Sequence, residues 1–252
     1  MAQYPIKKTA VTRTITNLMA DGSIIVQADT PAAKMIWEMA FTDLSPADAT
    51  ALQAHFQACI GPYHAFTFID PTDNMLADST DLTSISWVRS ALLNVSDGAS
   101  DPNGGSGAFL LTNTSSAPQQ ISQQLAVPAN YQYCFSLYAL SAVPMTLDLV
   151  RQGALASATN TLSVGPAWTR IISTGRLNDP GTQFTVAINL SPGQQVTVFG
   201  LQLEPQLQPS RYRPTVGRSG VYANAHWASD TLSMVSQAPN LFSTSFAIQA
   251  NV

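Results

Sequence analysis

Three histidines, His55, His64 and His226, are this chain's candidates for acid–base or metal chemistry. None has a second ligand at the HxxxH or CxxC spacing that metal sites use. No nucleophile-elbow pattern marks a reactive serine. Glycoside cleavage needs two carboxylates flanking a cleft, and Asp81, Asp148 and Glu204 show no such pairing. The residues do not read as an enzyme, and no catalytic residue is assigned.

Two other groups could bind rather than react. "DPNGGSG" (Asp101 to Gly107) is glycine-rich, but a strand pattern follows it, not the helix whose N-terminus would hold a phosphate. Asp97, Asp101 and Asn103 offer oxygen ligands suited to calcium, the one cofactor this sequence suggests. The alternative is a tight strand-to-strand connection. Trp87 and Trp168 could stack on a sugar ring, since an aromatic face joins apolar area to defined geometry. Core packing is the other reading for each.

Composition limits the partners. Only 10% of the 252 residues are charged, with three lysines (Lys7, Lys8, Lys34) and eight scattered arginines. The net charge of −4 and the lack of a basic cluster argue against nucleic acid. Low charge fits a β-rich chain, and also a subunit covered by neighbours. Met1 to Ala10 shows no signal-peptide pattern. No stretch approaches the roughly 18 apolar residues of a membrane span. Folding in a cytoplasm is expected, with Cys59 and Cys134 as buried thiols and a disulfide between them as the alternative.

The elements around these residues form two textures. "TRTITNLMADGSIIVQADT" reads as two strands about a two-residue Asp21-Gly22 turn. "KMIWEMAFTDL" alternates, with Trp37, Met39 and Phe41 on one face. A helix over 45–59 is predicted, with Ser45 as N-cap, Pro46 at the first position and Asp48 at the capping-box position. Leu52, Phe56 and Cys59 form its apolar stripe, with His55 on the flank, and Gly61 ends it. "YHAFTFIDP" alternates again.

From about Asp73 to Pro209 short strand patterns recur between turn signals such as "VPAN", "NDPG" and "SPGQ". They predict an antiparallel jelly-roll sandwich. The last thirty-odd residues hold three candidate strands and are too few to stand alone. The fold class expected is therefore mainly β: a discontinuous β-sandwich with one helix (residues 1–77 and 212–252) and an inserted jelly roll (78–211). "EPQLQPSRYRPT" would carry the chain back, stiffened by Pro205, Pro209 and Pro214.

With this organisation, "WEMAFTDLSPADATALQAHFQACIGPYHAFTFIDPT" resembles the N-terminal domain of phage distal tail and minor tail proteins. "DPNGGSGAFLLT", "YQYCFSLYA", "WTRIISTG" and "VFGLQLEPQLQPSRYRPT" are similar to the carbohydrate-binding-module-like jelly rolls of phage tail and adhesion proteins. In the last motif Phe199, Gly200, Gln202, Leu203, Glu204, Ser210, Tyr212, Pro214 and Thr215 carry the likeness. The resemblance implies a virion protein at the distal end of the tail, made in the host bacterial cytoplasm. It implies a homohexameric ring that joins the tail tube protein to the tip or baseplate hub, with an outward jelly roll offered to host-surface glycans. An adhesion module or tail-fibre protein without a ring is the alternative. No sugar-site residue can be matched to that family.

Overall fold

A computed structural model describes residues 3–251 of the chain. It separates into two compact units, residues 1–68 with 222–252, and residues 69–221.

The discontinuous unit is built on one sheet. Strands β1 (Lys7–Leu18) and β2 (Ile24–Leu44) form a long hairpin, and helix α1 (Pro46–Ala58) and strand β3 (Phe66–Ile69) follow. The jelly-roll strands come next: β4 (Val88–Arg89), β5 (Leu93–Ala99), β6 (Ala108–Asn113), β7 (Gln119–Leu125), β8 (Tyr133–Leu140), β9 (Met145–Gln152), β10 (Ser157–Val164), β11 (Thr169–Gly175), β12 (Phe184–Leu190) and β13 (Gln195–Glu204). Strands β14 (Val221–Trp227), β15 (Val235–Ala238) and β16 (Leu241–Asn251) then return to the first sheet, whose order is β1-β2-β16-β14-β3 with β15 beside β16.

The C-terminal strands complete the core of the first unit. Trp37 and Met39 from β2 are buried with Cys59 and with Tyr222, Ala225, Trp227, Ile248 and Ala250. Trp37 meets Tyr222 edge-on at 4.6 Å, and Phe56 meets Trp227 at 5.1 Å. α1 lays Ala49, Leu52 and Phe56 toward this cluster. Its start follows the sequence: the Asp48 amide donates to Ser45 Oγ at 3.2 Å, and Ser45 Oγ donates back to Asp48 at 2.6 Å. Gly61 follows the helix at φ +59°.

The hairpin differs from its expected form. Its turn is a five-residue loop, Met19–Ser23, in which Met19 N–H donates to Ser23 O and Asp21 Oδ1 accepts from Ser23 N–H. The two expected strands 24–30 and 34–44 are one strand interrupted by a bulge. Pairing runs Lys7↔Glu38 to Val11↔Lys34, slips, and resumes from Arg13↔Asp29 to Leu18↔Ile24. Pro31 lies in the slip, where a residue with no N–H costs no ladder bond.

The second unit is a jelly-roll sandwich of two antiparallel sheets, β10-β9-β12-β7-β4 and β11-β8-β13-β6-β5. Leu111, Ile121, Tyr133, Phe135, Leu137, Leu147, Leu149, Phe184 and Ile188 are fully buried between them. The segments 69–77 and 212–221 belong to this unit and not to the first, a correction to the expected boundaries. The reason is both apolar and polar: Met75 and Leu76 are fully buried in the jelly-roll core, and backbone bonds tie the two segments in. Met75 N–H donates to Leu203 O at 2.9 Å, and Gly220 N–H to Asn74 O at 2.7 Å. Hydrophobic periodicity carries no trace of such bonds. Cys59 and Cys134 are both buried thiols, and the disulfide alternative falls away.

Residues 69–221 expressed alone are expected to unfold cooperatively in a single transition. Residues 1–68 alone are expected to lack a transition, because the strands bearing Tyr222, Trp227 and Ile248 are missing. A cooperative melt of 1–68, followed by circular dichroism, would show that the unit does not need its C-terminal half.

Candidate functional site

Trp87 is corrected as a sugar platform. It is buried at 4% exposure, and its Nε1–H donates to Asp78 O at 3.1 Å. A ring with both faces packed presents none to a ligand. Trp168, just before β11, is half-buried and retains some exposed surface.

Of the calcium candidates, Asp101 is engaged by its own loop. Asp101 accepts from Asn103 N–H at 2.7 Å, Gly105 N–H at 3.2 Å and Gly107 N–H at 3.1 Å. These bonds hold its carboxyl below the ordinary aspartate range, the Gly107 amide first. A Cβ on Gly105 would stand 2.6 Å from Asp101 Oδ2, so the loop requires glycine there. Asp97 and Asn103 are exposed on β5 and in the loop. The geometry is that of the tight strand connection, built around Asp101. Among the described residues no three His, Cys, Asp or Glu side chains group as metal ligands.

Asp179 does similar work elsewhere in the jelly roll. It accepts from Leu155 N–H at 2.6 Å, Ala156 N–H at 2.9 Å and Gly181 N–H at 2.8 Å, and these amides lower its pKa. Sequence reasoning missed it; "NDPG" was visible only as a turn.

Two of the three histidines pack, and His64 is exposed. His55 lies edge-on to Phe66 at 4.7 Å, with its pKa lowered by burial. His226 Nδ1 bonds Pro62 O at 2.9 Å.

The motif "GLQLEPQLQPSRYRPT" folds back as a latch on the outer face of β13. Gly200 sits at φ +64°, where a Cβ would lie 3.3 Å from the Tyr212 ring and 3.4 Å from Tyr138. Gln202 and Glu204 are buried. Gln202 Oε1 accepts from Arg213 N–H at 2.7 Å, and Glu204 accepts from Ser210 N–H at 2.9 Å and Ser210 Oγ–H at 2.5 Å. Arg170 Nη1 donates to Ser210 O at 2.5 Å and its guanidinium lies 5.3 Å from the Tyr138 ring. Thr215 Oγ1 donates to Leu76 O at 2.6 Å. The buried polar side chains of the motif, Gln202, Glu204 and Thr215, are thus engaged internally, and the motif closes the sandwich.

Two surfaces stay open. On the outward side of the other sheet, Thr161, Asp148, Asn189 and Gln120 stand in one cross-strand row over β10, β9, β12 and β7. Thr161 Oγ1 donates to Asp148 at 2.6 Å, and Asn189 Oδ1 has no partner. The row carries one carboxylate and no cation.

The second surface is the arm of the β1–β2 hairpin beyond the bulge. Ile15 (42%), Leu18 (74%), Ile24 (63%), Ile25 (43%) and Val26 (62%) are exposed on its two faces. β16 pairs with β2 only from Lys34 to Leu44, and β1 pairs only with β2. Both backbone edges of the arm are therefore unpaired among the described residues. A two-stranded ribbon is marginal in water by itself, and an open apolar edge invites another strand.

No family model matches the chain, and no curated protein matches it. Among solved structures it is similar to the enzymatically active domain of bacteriophage CBA120 tailspike protein 4, at 12% identity and TM-score 0.42 over 53% of this chain and 22% of that one. It is similar to the C-terminal family 22 carbohydrate binding module of Clostridium thermocellum Xyn10B, at 18% identity and TM-score 0.44 over 57% of this chain and all of that one. A CBM22-1 xylan-binding domain from Paenibacillus barcinonensis Xyn10C gives 13% identity and TM-score 0.42 over 57% of this chain and 99% of that one. The structural neighbours are thus carbohydrate-binding modules and part of a phage tailspike. Among the described residues no helix is long and apolar enough to cross a membrane.

The lowered carboxyls give a pH prediction. Asp101, Asp179 and Asp78 all have folded pKa values below the ordinary one, chiefly from backbone N–H bonds. The unfolded chain then binds protons first, so stability held above about pH 4 is lost as pH falls through the folded values. Urea unfolding between pH 5 and 2 should show this slope, and Asp179→Asn should flatten it. An equal slope in the variant would remove Asp179 from the account. Gly200→Ala is expected to cost about 1–2 kcal/mol from its positive φ.

Proposed function

We propose that this chain is a structural subunit of a phage tail, which assembles into a ring at the distal end of the tail tube and carries a jelly roll offered to host-surface glycans. The hairpin arm carries the reading. It is an extension of roughly 20 Å at strand rise, apolar on exposed faces and unpaired along both edges. A lone subunit gains nothing from such an arm and risks aggregation. Successive copies can satisfy it: one edge meets the next copy and the other edge meets the previous one. That contact is heterologous and closes when the rotation divides a circle. Each large apolar side chain fully buried there contributes about 1.5–3 kcal/mol. The low charge content fits a subunit whose surface is largely covered. The likeness of residues 37–72 to distal tail proteins supports a place between the tube protein and the tip hub, with six copies as the expected number.

A second reading, an adhesion module that binds glycan without a ring, draws on the row Thr161–Asp148–Asn189–Gln120 and on Trp168. Hydroxyl, amide and carboxylate groups in one line suit a neutral sugar chain. The two readings concern different units and can hold together.

Light scattering across a concentration series is expected to show a closed oligomer. Ile24→Asp with Val26→Asp should return it to monomer while the melting temperature stays within about 2 °C, since exposed positions change stability by under about 0.5 kcal/mol. A double variant that assembles like the parent would contradict the ring reading. For the second reading, Trp168→Ala and Asn189→Ala should each weaken binding to glycan arrays about tenfold, while Trp87→Ala should act only through stability. Binding unchanged in the first two variants would dismiss these residues.

A further inference from the structure

Among the described residues, four other than glycine adopt positive φ: Asp43, Ile60, Asp78 and Asn240. Asp and Asn tolerate that region because their short side chains bond locally. Ile60 does not. It stands just past Cys59, the C-cap of α1, at φ +52°, where glycine is the unstrained choice. Its side chain is 63% exposed, so burial in this chain does not compensate for the backbone. Tyr63 beside it is 73% exposed.

The loop that presents them is held from behind. Ile60 N–H donates to Gln57 O at 3.0 Å, Gly61 N–H to Phe56 O at 3.1 Å and His64 N–H to Cys59 O at 2.9 Å. His226 Nδ1 fastens Pro62 O. Ile60 and Tyr63 are thus two apolar side chains on a fixed backbone, an arrangement that lowers the ordering cost of binding. Strain kept at an exposed apolar residue points to a contact outside the chain.

We infer that Ile60 and Tyr63 are the seat for the hairpin arm of a neighbouring copy, an inference that rests on the ring reading. The chemistry matches on both sides. From Gln57 to Phe66 there is no Asp, Glu, Lys or Arg, with Asp230 beside Gly61 the carboxylate at its edge, and from Thr14 to Ala28 there is only Asp21. Seat and arm are different patches of the same unit, so their contact is head-to-tail, the kind that closes a ring. The occupant is a second copy because the arm is the exposed apolar extension that the chain itself supplies.

Ile60→Gly separates fold from assembly. Removing the strain should raise the melting temperature by about 2–4 °C, while the concentration for half-assembly rises about tenfold or more, the scale of a lost anchor. Tyr63→Ser should weaken assembly with little change in melting. A Leu18→Cys chain mixed with a Tyr63→Cys chain should form a mixed disulfide under mild oxidation, absent when either is alone. If the parent assembles and Ile60→Gly assembles at the same concentration, or if no mixed disulfide forms, the seat is wrong and the ring reading stands. A parent that stays monomeric at all concentrations removes both.

Discussion

Four hydrogen bonds converge on the side chain of Asn74, and the second unit depends on them. Nδ2 donates to Leu201 O at 2.9 Å and Arg213 O at 3.2 Å, and Oδ1 accepts from Leu203 N–H at 3.0 Å and Leu76 N–H at 3.1 Å. The residue is fully buried. One amide thus joins the segment where the chain comes into the jelly roll to the strand and return segment where it leaves. All four of its hydrogen-bonding positions are used, so it is a fully satisfied buried polar group and not a costly one. The neighbouring Gly220 is fitted to it: a Cβ there would lie 2.8 Å from Asn74 O. An inserted unit whose two ends are fastened together can be carried by a host fold at little entropic cost, because its termini are already close.

The return motif extends the same closure. Gln202, Glu204 and Thr215 are buried and bonded to backbone, and Gly200 leaves room for Tyr212. The motif therefore describes how this sandwich is sealed. The surfaces that the seal leaves open are the polar row on the opposite sheet and, in the first unit, the arm.

Much of this was legible in the residues. Alternation located the jelly-roll strands, although "ISWVRSALLNV" proved to be two, β4 and β5. Ser45, Pro46 and Asp48 announced the helix and Gly61 its end. What remained hidden has physical reasons. The stretches on either side of Pro31 read as separate strands, yet a bulge lets one strand pass through it. The unit boundaries were displaced because long-range backbone hydrogen bonds and the burial of Met75 and Leu76, neither carried by a regular apolar period, assign residues 69–77 and 212–221 to the jelly roll. Trp87 and Trp168 look alike in sequence, since a single strand pattern does not say which face is covered. No sequence signal singles out Ile60; only its φ and exposure mark it.

Urea unfolding of residues 69–221 with Asn74→Ala, beside a Thr159→Ala control at an exposed position, tests the closure most directly. The substitution strands buried N–H and C=O groups, each worth about 1–3 kcal/mol. The account predicts a loss of at least about 2 kcal/mol in Asn74→Ala and under about 0.5 kcal/mol in the control. Equal stability in the two variants would contradict it.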